Sequence, residues 1–288
     1  MGWRTVVINI HSKLSYKNNY LVFTSADKKE VIHLSEIDNL IVESTEVSIT
    51  SMLLKRLIDE KINVIFCDDK RMPISVLMPF YGRYDSSLQI KKQIEWPQNM
   101  KDEVWINIIN QKLYNQASLL GKLDYKTKSK KIHEIRQELM VADPSNGEAH
   151  SARIYFNTLF GHTFTRKSDS DINAGLNYGY SMILSLVARE VVLNGCITQL
   201  GLMHTNQFND YNLASDLMEP FRIIVDEKIY ESMDKSFREM KIRLFDIFNE
   251  TYTYNNSQVY LTNIIEDYVR KIIKILNGEN IKFPEFII

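Results

Sequence analysis

The chain is short of several things, and each shortage closes a class of function. Only two cysteines occur among 288 residues, Cys67 and Cys196, with no Cys-x-x-Cys pair. That excludes a disulfide framework and a thiolate zinc site; it fits a reducing cytoplasm, with both thiols serving as small buried hydrophobes. No apolar run approaches bilayer length, since Met182–Val187 soon meets Arg189 and Glu190, and no membrane partner is expected. The N-terminus passes from Arg4 directly into Val6-Val7-Ile8, which reads as a strand and not as a signal peptide. Charge of one sign is not in excess either: 35 Lys and Arg stand against 36 Asp and Glu. A nucleic-acid partner would have to be held by local clusters. What is present, 44% hydrophobic and 25% charged residues, describes an ordinary folded protein with one large core or two modest ones.

Residues 1–78 read as a β-rich domain. Short stretches rich in β-branched and aromatic residues recur at Val6–Ile10, Tyr20–Phe23, Glu30–Leu34, Leu40–Val42, Asn63–Cys67 and Ile74–Leu77. Tyr16-Lys17-Asn18-Asn19-Tyr20 suits a hairpin turn, because asparagine tolerates positive φ. One helix interrupts the pattern at Leu53, Leu54, Leu57 and Ile58, giving two packed sheets with one helix. Residues 79–98, with Gly82 and two prolines, read as a connector. From 99 to 288 apolar residues recur at helical spacing, and helices are expected over 148–160, 172–194, 213–249 and 258–276. The fold class is α+β: a β-sandwich-like N-terminal domain followed by a larger all-α catalytic domain. The tail Ile281–Ile288 is apolar enough to pack on this or a neighbouring subunit.

Three metal-competent groups stand out in the helical part. Glu148 lies in Asn146-Gly147-Glu148-Ala149-His150-Ser151-Ala152-Arg153-Ile154-Tyr155-Phe156, in the first turn of a helix capped by Ser145 or Asn146. His204 ends Gly201-Leu202-Met203-His204, and Asp216 and Glu219 share Asp216-Leu217-Met218-Glu219-Pro220-Phe221-Arg222. A carboxylate, an imidazole and a second carboxylate suit Mg²⁺ or Mn²⁺, and such a site suits phosphodiester chemistry. Asp216 and Glu219, three apart, share a helical face, where Pro220 would bend the helix. Arg153 suits anchoring a carboxylate or a phosphate. Six cations against two anions crowd residues 122–136, including Lys128, Lys130 and Lys131. Read alone, that run is a solvated surface. Arg166 and Lys167 are further candidates for phosphate contact, and His11 for stacking on a duplex end.

The motifs around Glu148, His204 and Glu219, with Asn173-Ala174-Gly175-Leu176-Asn177-Tyr178-Gly179-Tyr180 between them, resemble in type and order the CRISPR spacer integrase, most of all its type II-A form. That resemblance implies a metal-dependent DNA integrase and endonuclease of antiviral adaptive immunity. Glu148, His204 and Glu219 would be the catalytic metal ligands, with Asp216 behind them orienting the metal's surroundings. It also implies a homodimer, two of which flank a dimer of a small CRISPR-associated partner in a heterohexamer. The complex would bind a double-stranded fragment with 3′ overhangs, and CRISPR repeat DNA. With that partner, Lys128, Lys130, Lys131, Arg166, Lys167 and His11 become DNA contacts. Two other readings use the same residues: a general metal-dependent nuclease of branched DNA, and a non-enzymatic DNA-holding scaffold.

Overall fold

The structure is a computed structural model that describes residues 2–80, 82–140 and 146–288. The chain divides into two compact units, 1–80 with 248–250, and 81–247 with 251–288.

The first unit contains β1 (Arg4–Ile8), β2 (Ser12–Lys17), β3 (Tyr20–Thr24), β4 (Lys29–His33), β5 (Ile37–Val42), β6 (Val47–Ile49), α1 (Ser51–Asp59), β7 (Asn63–Cys67) and β8 (Pro73–Leu77). One four-stranded sheet has the order β1-β5-β7-β8 and the other β4-β3-β2-β6. Central β5 is buried along nearly its whole length, as a strand covered on both faces must be. In β2, by contrast, Ser12 and Leu14 point inward and Lys13 outward. Ile8, Leu14, Leu21, Leu40, Leu53, Leu57 and Val64, drawn from both sheets and α1, form one core. Asn39 and Asn63 face each other across the parallel β5–β7 pair, and Asn63 donates to Asn39 at 3.0 Å, so neither buried amide is left unpaired at that atom. Asn18 and Asn19 take positive φ at the β2–β3 turn.

The second unit begins with α2 (Ser86–Ile94), which lies inside the stretch expected as a connector. It is followed by α3 (Gln98–Lys122), α4 (Lys126–Gln137), α5 (Gly147–Phe160), α6 (Asp171–Leu193) and α7 (Asn212–Leu217). Then come α8 (Arg222–Tyr230), α9 (Phe237–Leu244), β9 (Thr251–Tyr254), β10 (Ser257–Tyr260) and α10 (Leu261–Leu276). Two expectations need correction. The helix expected over 213–249 is broken: Glu219–Phe221 is a 3₁₀ turn, because Pro220 has no N–H for the helical ladder, and α8 and α9 are separate. The domain is also not all-α, since β9 and β10 form an antiparallel hairpin where helix and break were expected. Asn255 and Asn256, both at positive φ, make its turn.

α6 runs through the interior of this unit. A Cβ on Gly179 would lie 2.5 Å from Val225 Cγ1, so glycine is what allows α8 to approach α6. The tail is fixed to α3. Gln111 donates to the Pro284 carbonyl and accepts from the Phe286 N–H, both at 2.9 Å, and Asn115 donates to the Phe286 carbonyl at 3.0 Å. Phe286 is fully buried against Phe221, ring centroids 4.8 Å apart. No helix among the described residues is long and apolar enough to cross a membrane. Both cysteines are buried, and burial pushes the Cys196 thiol up to about 12, which leaves it unreactive at neutral pH.

Candidate active site

Each candidate ligand is presented by a different kind of backbone. Glu148 sits in the first turn of α5, where the free N–H groups favour a carboxylate. The expected side-chain cap is not made by Asn146, which instead adopts the left-handed conformation (φ 55°); Ser145 lies outside the described residues. His204 is on the loop between α6 and α7, and Glu219 opens the 3₁₀ turn that Pro220 creates.

Glu148 and Glu219 converge on one cation. Lys112 Nζ, from the middle of α3, is 2.7 Å from Glu148 Oε1 and 2.7 Å from Glu219 Oε2. Arg222 holds the other oxygen of Glu219, Nε to Oε1 at 2.9 Å. The Glu219 side chain is 6% exposed and that of Lys112 13%, whereas Glu148 is 33% exposed. Burial alone would raise the Glu219 carboxyl. The two cations reverse that and hold it down at about 2. Burial likewise opposes the Lys112 ammonium, and Glu219 and Glu148 outweigh it, so its pKa is raised.

Asp216 organises the histidine. It is fully buried, and its two oxygens accept the backbone N–H groups of Leu202 (2.6 Å), Met203 (3.2 Å) and His204 (3.2 Å). Oδ1 also lies 2.5 Å from His204 Nδ1. This tight loop needs Gly201, where a Cβ would lie 2.4 Å from the His204 carbonyl oxygen and 2.8 Å from Asp216 Oδ2. The hydrogen bond to Asp216 raises the His204 pKa against the effect of burial, with Glu219 adding through its charge. Trp105 meets the imidazole edge-on at 5.8 Å. With Nδ1 committed to Asp216, Nε2 is the nitrogen left to act. Asp216 is therefore a fixed support for the loop, and its four accepted bonds leave it little capacity for a ligand's role.

Among the described residues no three His, Cys, Asp or Glu side chains already form a metal-holding cluster, and the Lys112 ammonium bridges the two glutamates. The chemistry of the donors nonetheless fits a hard divalent cation. Two carboxylates and an imidazole nitrogen are the right ligand types, and buried Glu219 Oε2, although ion-paired, makes no well-formed hydrogen bond.

Arg153 is exposed and makes no ion pair among the described residues; the anchoring of carboxylates expected of it falls to Lys112 and Arg222. It lines a cavity of about 420 Å³ with Phe156, His162, Phe164 and Arg166. Arg166 is largely committed within the fold, donating to Asn173 and Asn177 at 2.7 Å each and lying over the Tyr180 ring. Lys167 and His11 are exposed. Lys128, Lys130 and Lys131 are exposed on α4, with only a loose 3.9 Å pair from Lys130 to Glu134. Sequence reading missed Lys112, Arg222 and a further buried carboxylate, Asp226, which accepts hydrogen bonds from Tyr155 (3.0 Å) and Tyr180. The signal was a charged residue in the phase of an apolar stripe: Lys112 with Ile108 and Leu119, Asp226 with Ile223 and Ile229.

Residues 5–257 match the family model described as CRISPR associated protein Cas1. This chain belongs to the Cas1 family. It is 33% identical over 227 residues to the CRISPR-associated endonuclease Cas1 of Neisseria meningitidis serogroup C (strain 8013), covering 78% of this chain and 74% of that one. Among solved structures, a casposase bound to integration product superposes with a TM-score of 0.78 at 18% identity, covering 98% of this chain and 92% of that one. A chain of a Cas6-RT-Cas1–Cas2 complex gives 0.75 at 16% identity, covering 98% of this chain and 36% of that one. At these identities the two structures establish a shared fold. The strand-rich front and helical back are the Cas1 arrangement.

Proposed function

We propose that this Cas1 protein is the integrase of CRISPR adaptation, of a type II-A-like system, joining short foreign DNA fragments to a CRISPR repeat. The observation that carries the reading is the convergence of Glu148 and Glu219 on a single cation beside a histidine fixed through Nδ1, in a chain of this family. Glu148, His204 and Glu219 are the residues that would hold Mg²⁺ or Mn²⁺. Such an ion, when bound, lowers the pKa of an attacking hydroxyl and offsets charge on the phosphoryl oxygens.

The chain's own residues supply the rest. Asp216 keeps the imidazole in one tautomer and one orientation. Arg222 keeps Glu219 ionised, so the carboxylate meets a cation without first losing a proton. The reaction is transesterification. The fragment's 3′ oxygen forms a bond to the repeat phosphorus, and the bond to the repeat's own bridging oxygen breaks, leaving that oxygen to take a proton. Attack by water in place of the hydroxyl gives endonuclease activity. Exposed Lys128, Lys130 and Lys131, with Lys167, hold phosphates without reading sequence. The working form is two homodimers flanking a Cas2-type dimer, six chains in all, in the cytoplasm.

The test is incubation of the protein with Mg²⁺ or Mn²⁺, the Cas2-type partner, a fragment with 3′ hydroxyls and a repeat-bearing plasmid. Joined product is expected, and a fragment ending in a 3′-dideoxynucleotide should bind but not join. Joining by the dideoxy fragment would overturn the chemistry. Cleavage of branched DNA with no joining would assign a general nuclease, and binding with neither reaction a scaffold.

A further inference from the structure

Lys112 contacts both glutamates, and no motif brought it to notice. It reaches them from a third element, α3, across 36 and 107 positions of sequence. A lysine in the interior phase of a helix is costly to desolvate and is retained where a specific partner compensates it. Here two anions do so, at equal distances of 2.7 Å, and the side chain is 13% exposed. The ammonium is a flexible point charge on a four-carbon stem, unlike the planar guanidinium of Arg222, whose geometry fixes it to one oxygen of Glu219. Glu219 thus has a permanent counter-charge on Oε1 and an exchangeable one on Oε2. Glu148, a third exposed, gives the exchangeable position an opening to solvent.

We propose that Lys112 is a built-in competitor for the divalent cation: its ammonium bridges Glu148 and Glu219 when the ion is absent and withdraws when the ion binds. The proposal rests on the metal reading given above. It explains why two carboxylates can be held close together before the ion arrives, since without a cation between them their repulsion would open the site. It also sets a cost on binding. The ion meets a site whose competent state is only fractionally populated, so its apparent affinity is lowered by that fraction.

Two measurements test this, both with Mn²⁺ alone and neither reading activity. The first compares Mn²⁺ affinity of the purified protein with that of Lys112→Met. Removing the competitor should tighten binding by about tenfold, and the temperature of unfolding should fall in chelator yet recover more than wild type's on adding Mn²⁺. Unchanged or weaker affinity in a folded Lys112→Met protein would overturn the proposal. Should that variant fail to fold, the second measurement decides. Amine-directed labelling of wild type, read by mass spectrometry at Lys112, should speed up severalfold when Mn²⁺ saturates the site, while labelling at exposed Lys131 stays constant. Labelling at Lys112 that Mn²⁺ does not change, in a protein shown to bind the ion, would sink the exchange and leave the metal reading standing. Wild type that binds no Mn²⁺ would remove the metal reading itself, and the exchange with it.

Discussion

Glu219 and Asp226 are two buried carboxylates of the same short stretch of chain, one on each side of Arg222, and their surroundings drive them in opposite directions. Glu219 has an ammonium on one oxygen and a guanidinium on the other, and stays ionised down to about 2. Asp226 is bound by the neutral hydroxyls of Tyr155 and Tyr180, and burial, only partly offset by those bonds, lifts it to about 6. Equal burial does not decide charge; the formal charge of the partners does. A carboxylate meant to meet a cation is kept as an anion by neighbours that a cation can replace. One that holds helices together tolerates a proton, because hydroxyl partners serve either form. On the proposed reading Glu219 is the chemical carboxylate and Asp226 the structural one.

The largest expected effect breaks the first half of that comparison. Glu148→Ala, His204→Ala or Glu219→Ala should each lower joining by at least about a hundredfold, assayed on gels with the partner protein present. Retained joining by any one of them removes that residue from the ligand set. Glu219→Gln should in addition lose roughly 3 kcal/mol of stability at neutral pH, since Arg222 and Lys112 are left facing a neutral amide. The Glu219 contribution is present above the unfolded carboxyl value of 4.5 and is lost as pH falls toward 2. The gap between wild type and variant should therefore close on acidification.

Asp216→Asn comes next. The amide keeps one acceptor oxygen where two oxygens now take four donors, so a loss of about 2 kcal/mol is expected. Joining should fall with it, because the His204 loop would no longer be fixed. A variant with wild-type stability and activity would show that the loop holds its shape without the carboxylate.

Asp226→Asn sharpens the second half. Here the folded value is raised, so the Asp226 contribution is full below about 3.8 and is lost as pH rises through about 6. Urea unfolding of wild type against the variant, from about pH 7 to about pH 4, should show wild type gaining roughly 3 kcal/mol relative to it. Mn²⁺ affinity at neutral pH should stay within about twofold. A pH-independent difference would mean that Asp226 is ionised throughout and that its tyrosines act as strong anion donors.

The smallest effect on the fold belongs to the exposed limit. Replacing Lys128, Lys130 and Lys131 together with alanine should change stability by less than about 0.5 kcal/mol. It should flatten the slope of log DNA affinity against log salt by about three. An unchanged slope would make this run a solvated surface and move the DNA path toward Lys167 and Lys91.

The fold was legible wherever a local rule had one solution. Alternating β-branched residues marked most strands of the first unit, and the limits of α5 and α6 were readable to within about two residues from capping and periodicity. Asparagine pairs show where such rules fail. Asn18-Asn19 and Asn255-Asn256 both supply positive φ to a hairpin, but the second stands beside helical segments and reads as a helix break. Thr-Tyr-Thr-Tyr before it and Ser-Gln-Val-Tyr after it were the overlooked strand signal. Of the site, Glu148, His204, Asp216 and Glu219 stood out because their motifs are contiguous. Lys112 did not, because its meaning comes from contacts across the fold; Arg222 was passed over although it ends the Glu219 motif and pairs with Glu219 three residues away. A lysine in helical phase with Ile108 and Asn115 has no local signature beyond being out of place.

The helix that carries Lys112 also carries Gln111 and Asn115, which grip residues 284–288, and Asn115 donates to the Pro220 carbonyl at 3.1 Å, behind the turn that presents Glu219. One turn of α3 therefore acts as a camshaft, its angular setting shared by the reaction centre and the end of the chain. Inserting a single residue between Lys112 and Asn115 would rotate Gln111 and Lys112 against Asn115 by about 100°, parting the two residues that hold the tail as well as Lys112 from the Glu219 turn. Neither could then be corrected without losing the other.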